Sequence, residues 1–98
     1  MSRTLRLSRA ARRDVDLAFV YYEERRPGLG DEFLKAVEDC LERIKKYPES
    51  FAIVKKDLRV ALVSRFPYLV VYRLTPNRIR IAAVVHGARH PRNWNDQG

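Results

Sequence analysis

At Pro48 the periodicity of this chain changes, and the change bounds what it can fold into. Before it, apolar residues recur at helical spacing; beyond Asp57 they recur every second residue. Ser8 offers an N-cap, and Ala11, Val15, Ala18, Phe19 and Tyr22 follow on one stripe, which predicts an amphipathic helix over about 8–25. Arg26-Pro27-Gly28-Leu29-Gly30 interrupts it, because proline and glycine punctuate helices. Asp31 can open a second helix over about 31–47, with Phe33, Leu34, Val37, Leu41 and Ile44 as its stripe. The two form a helical hairpin.

The second half reads as strands over about 58–64, 68–74 and 79–86. YLVVYRL (68–74) and IRIAAVV (79–85) are rich in β-branched and aromatic residues, and the TPNR (75–78) between them is turn-like. Short links make these an antiparallel meander. TLRL (4–7) alternates as a short edge strand. The expected class is α+β, one domain over residues 1–98, since 98 residues suffice for one small core and not for two. A core that small also leaves room for a partner to complete it.

Alternation divides the meander into two faces. Leu58, Val60, Leu62, Tyr68, Val70, Tyr72, Ile79, Ile81, Ala83 and Val85 are expected to pack on the helices. The other face carries Arg59, Ala61, Val63, Arg65, Leu69, Val71, Arg73, Arg80, Ala82, Val84 and His86: an apolar centre rimmed with arginine. Such a patch is rarely left bare. It is expected to receive a partner, the alternative being cover by the chain's own loops or tail.

Charge narrows the partner. The net charge is +8, with 58–98 holding seven arginines, no lysine and one acid, Asp96. Arginine grips phosphate and carboxylate bidentately, so the partner class is polyanionic: nucleic acid or an acidic protein. The single cysteine, Cys40, leaves no internal disulfide or multi-cysteine zinc site and suits a reducing cytoplasm. Neither a signal-peptide core nor a run approaching the ~20 apolar residues of a membrane span is present.

Little catalytic machinery is visible. His86 and His90 are four residues apart, but Gly87 and Pro91 argue against a shared helix face, and carboxylates are scarce after Asp57. No metal and no cofactor is expected. Metal-free RNA cleavage asks for less: a base or acid such as His86, and cations such as Arg65, Arg73 and Arg89 to hold the phosphate. A histidine ending a buried strand is more often simply packed. Cys40 reads as core filler, and Tyr68 and Tyr72 as core by parity, while Trp94 is free to pack the tail or touch a partner.

The order helix, helix, meander, with SRFPYLVVYRL (64–74) and VVHGARHPR (84–92), resembles the RelE/ParE superfamily of bacterial type II toxins. The likeness extends over nearly the whole chain, including the hairpin 10–51. It implies an antiparallel sheet with two helices and an antitoxin that wraps the toxin in a hetero-oligomer. Within the superfamily, RelE-like members cut mRNA on the ribosome, and ParE-like members poison DNA gyrase without being nucleases. RelE-like enzymes carry lysines on the first meander strand, where this chain has Val60 and Leu62. They carry an arginine after the tyrosine that opens the next strand, where this chain has Leu69 after Tyr68, and a late tyrosine, where none follows Tyr72. Only Arg89 matches, and HGARHPR resembles ParE-like chains.

The resemblance therefore implies a cytoplasmic gyrase inhibitor neutralised by an antitoxin. Arg59, Arg65, Val71, Arg73, Val84, His86, Arg89, Arg92 and Trp94 are its candidate partner contacts. The alternatives are a metal-independent, ribosome-dependent endoribonuclease using Arg65, His86 and Arg89, and a binding member without toxicity.

Overall fold

The computed structural model describes residues 3–87. Seven elements follow in chain order: β1 (Thr4–Leu7), α1 (Arg9–Arg25), α2 (Leu29–Lys46), β2 (Ala52–Lys55), β3 (Leu58–Leu62), β4 (Tyr68–Leu74) and β5 (Arg78–His86). The strands form one sheet in the order β1-β5-β4-β3-β2, and both helices pack on one of its faces. The expected α+β class, hairpin and meander are all present. The sheet is mixed, because β1 runs parallel to β5, with Thr4 opposite Arg78 and Leu7 opposite Ile81. A fifth strand, β2, extends the meander by pairing antiparallel with β3.

Ser8 turns the chain from sheet to helix. Its Oγ accepts the Ala11 N–H at 3.0 Å, capping α1, and donates to the Ala82 carbonyl at 3.0 Å. The start of α2 is capped from outside. Glu23 of α1 accepts the N–H groups of Gly28 at 3.0 Å and Gly30 at 2.9 Å with its two carboxylate oxygens. Gly28 sits at φ 91, where a side chain would be strained. This borrowed cap starts α2 at Leu29, two residues before Asp31. Gly30 also lets the helices approach: a Cβ there would lie 2.7 Å from the Phe19 ring.

The core between helices and sheet holds Phe33, Ile44, Val70, Tyr72, Ile79 and Ile81, each at most 1% exposed. Tyr22, Phe33, Phe66 and Tyr68 stack edge to face or tilted, with centroids 4.9–6.2 Å apart. The Tyr72 hydroxyl donates to the Pro48 carbonyl at 2.6 Å, tying β4 to the loop after α2. Cys40 is buried core filler, its Sγ near the Leu62 carbonyl.

The expected faces need two corrections. On β3 the parity is reversed: Ala61 and Val63 face the helices, whereas Leu58 and Val60 join a second small cluster on the outer face. Both alternating sets of that strand contain apolar residues, so hydrophobicity does not choose between them. Arg59 does choose, because it donates from the helix side to the carbonyls of Glu49 at 3.1 Å and Phe51 at 2.8 Å. On β5 a register shift opposite Val71 and Tyr72 flips the alternation. Ile79 and Ile81 point inward as expected, but beyond the bulge it is Val84 that enters the core, while Ala83 and Val85 turn outward.

Candidate functional site

The outer face is sorted into rows by the strand register. Arg6 of β1 lies opposite Arg80 of β5, and Arg80 opposite Arg73 of β4. Their neighbours Leu5, Leu7, Ile79, Ile81, Tyr72 and Leu74 all pack into the core, so the three arginines share the outer face. The row continues through Leu58 to Lys55. Adjacent strands lie about 4.8 Å apart, and like charges directly opposite are destabilising. Three arginines in register therefore make a site that an anion would stabilise. Asp57 offsets one of them, its carboxylate 3.7 Å from Arg73 Nε. Beside the row, Thr4, Arg6, Arg78, Ile79 and Arg80 line a cavity of 310 Å³.

Two apolar rows follow along the strands: Ala83, Val71 and Val60, then Val85, Leu69 and Leu62. They are less bare than the alternation implied. Val71 is buried, and of these six residues only Leu62, at 69%, is widely exposed.

The far end of the sheet is a different place. His86 pairs with Tyr68 across the strands, their rings 5.3 Å apart. Both line an open groove of 330 Å³ between β5 and α1, together with Asp14, Leu17, Ala18, Tyr21, Val84 and Val85. Asp14 reaches across to accept the Val84 N–H at 2.9 Å, doing for this length of β5 what a neighbouring strand would do. Burial pushes its carboxyl above the usual range, and the hydrogen bond acts against that. Arg65 lies exposed in the β3–β4 link at φ 69, in the left-handed region.

The candidate contacts are thus not one cluster. Arg73 and Val71 belong to the outer face, with Arg73 in the arginine row. His86, paired with Tyr68, stands about 17 Å from that row, since Tyr68 is five residues along β4 from Arg73 at about 3.3 Å each. Arg59 and Val84 face the helices, Arg59 holding two backbone carbonyls and Val84 only 2% exposed. Arg89, Arg92 and Trp94 lie outside the described residues. Arg6 is not marked by its local sequence, because its partner Arg80 is 74 residues away along the chain. The signal was present: TLRL and RIRI both alternate leucine or isoleucine with polar residues, so side by side their arginines share a face.

Chemically, the row can hold carboxylates or phosphates bidentately. Among the described residues no group of three histidines, cysteines or acids could hold a metal, and no helix is long and apolar enough to cross a membrane. Burial pushes the Cys40 thiol up, with Arg43 pulling the other way, which favours the protonated form over the reactive thiolate.

Comparison with known proteins agrees with this architecture. Residues 5–91 match the family described as ParE toxin of type II toxin-antitoxin system, parDE. Toxin ParE2 from two strains of Mycobacterium tuberculosis is 35% identical over 92 residues, covering 93% of this chain and 88% of the relative. A solved structure titled "Chromosomal ParDE TA system from P. aeruginosa" superposes with a TM-score of 0.66 at 21% identity, over 87% of this chain and 96% of that one. The chain belongs to the ParE toxin family of type II toxin–antitoxin systems.

Proposed function

We propose that this toxin acts in the cytoplasm as an inhibitor of DNA gyrase and is held inactive by a cognate antitoxin, whose acidic segment lies on the arginine row. The observation that carries the antitoxin contact is the register of Arg6, Arg80 and Arg73 across three adjacent strands. A flexible acidic segment brings carboxylates to such a row, and the apolar rows beside it give the segment a floor. The gyrase target rests on family membership and on the absence of the RelE-like pattern at Val60, Leu62 and Leu69. Arg65, His86, Arg89, Arg92 and Trp94 are the proposed contacts for the target, whereas Arg59 and Val84 hold up the scaffold.

Induced expression without an antitoxin, followed by pulse-labelling of DNA and protein synthesis, tests the target. DNA synthesis stops first if gyrase is hit. Protein synthesis stops first if the chain is instead a ribosome-dependent nuclease working through Arg65, His86 and Arg89. Neither stops if the chain only binds. In the same assay, Arg89→Ala with Arg92→Ala reduces toxicity without unfolding the domain, and a fully toxic, folded double variant overturns that assignment.

A further inference from the structure

α1 carries a second, unused seam. Ala10, Arg13, Leu17, Val20 and Glu24 are all exposed and follow one another at intervals of three, four, three and four residues. That spacing averages 3.5 residues, the repeat that keeps a stripe facing a partner helix. Its centre is apolar and open to solvent, with Leu17 64% and Val20 50% exposed, whereas the opposite side of the helix is already buried on the sheet. Its ends carry opposite charges: Arg13 at one, Glu24 at the other. Among the described residues neither is in an ion pair, although Arg3, Arg26, Lys35 and Arg73 all are.

We propose that α1 is the contact of a two-fold symmetric dimer, the seam of one copy lying antiparallel on that of a second copy. The seam is self-complementary in that direction alone. A two-fold axis passing between Ala18 and Phe19 sets Leu17 against the partner's Val20, and Arg13 against the partner's Glu24, each contact occurring twice as an isologous interface requires. A parallel arrangement would oppose Arg13 to its own copy and Glu24 to its own copy, which like-charge repulsion disfavours. A foreign helix would need an independent reason to present the matching apolar pair and the inverted charges; a second copy presents them by construction. The apolar centre is short, so the dimer is a weak, reversible one. Dimerisation would also cover Leu17, which lines the groove that His86 borders. This inference does not depend on the gyrase reading.

Sedimentation velocity of the purified full chain over a wide concentration range tests it, with circular dichroism as a folding control. The expected result is a concentration-dependent monomer–dimer equilibrium that weakens as salt rises. Arg13→Glu alone, and Glu24→Arg alone, each turn two attractive contacts repulsive and raise the dimer dissociation constant about tenfold. The double variant Arg13→Glu with Glu24→Arg restores it, and Leu17→Glu abolishes the dimer while the fold is kept, since Leu17 is already in solvent. A chain that stays monomeric at every concentration overturns the proposal. So does a dimer indifferent to Arg13→Glu, or one that the double variant fails to restore, because either places the contact elsewhere or gives the seam to a different protein.

Discussion

Replacing Tyr72 by phenylalanine removes one oxygen and, with it, the bond that fastens the loop after α2 to the centre of the sheet. The ring is fully buried and its hydroxyl donates to the Pro48 carbonyl at 2.6 Å. Phenylalanine keeps the packing but leaves that buried carbonyl without its donor, a loss of about 1–3 kcal/mol. For a domain of this size each kcal/mol moves the melting temperature by about 4–8 °C, so a fall of at least about 4 °C is expected at neutral pH. Burial also pushes the hydroxyl up to about 12, against 10 in the unfolded chain. The contribution is whole below pH 10, where both states are protonated. It is lost progressively as pH rises from 10 toward 12, because the unfolded chain ionises first. Urea unfolding of both proteins from pH 7 to 11.5 reads the two effects together. The stability gap between wild type and Tyr72→Phe starts at about 1–3 kcal/mol and closes in the alkaline range. A gap that stays constant with pH would refute the account of the buried hydroxyl, as would equal stability at pH 7.

Three further predictions concern the scaffold. Glu23→Ala strips the borrowed cap from α2 and leaves two N–H groups without their acceptor; it should cost about 1–2 kcal/mol, readable in the thermal midpoint. Arg59→Ala removes the donor from the Glu49 and Phe51 carbonyls; it should lower stability by about 1–3 kcal/mol in urea titration, a loss that a purely partner-binding arginine would not produce. Asp14 has a raised folded pKa, so its contribution is present below the unfolded value, near 3.9, and is lost as pH rises through the folded one. Asp14→Asn keeps an acceptor for the Val84 N–H without a charge to bury. Urea midpoints should show wild type gaining on the variant as pH falls from 7 toward 4, and parallel curves would contradict the assignment.

Local signals made most of the elements legible. Ser8 marks the start of α1, and the dense β-branched runs mark β4 and β5 within a residue of their ends. What was not legible depended on distant partners. β1 is four residues whose pairing with β5 is set by the crossover of the whole hairpin, and β2 is a four-residue exposed edge with no alternation to betray it. The face of β3 was undecidable from LRVAL alone, because what separates its two sides is the pair of carbonyls waiting for Arg59. The flip along β5 comes from a bulge that no residue type announces. These same long-range pairings build the arginine row, which is why Arg73 was found from the sequence and Arg6 was not.

Supercoiling of relaxed plasmid by purified gyrase, with the purified toxin added, reads the proposed target and the proposed antitoxin contact in one assay. The toxin is expected to block supercoiling, and an acidic cognate antitoxin to restore it for the wild type but much less for a folded Arg6→Ala, Arg73→Ala, Arg80→Ala variant. Gyrase that supercoils unhindered at saturating toxin, under conditions where ribosome-bound mRNA is cut, would contradict it.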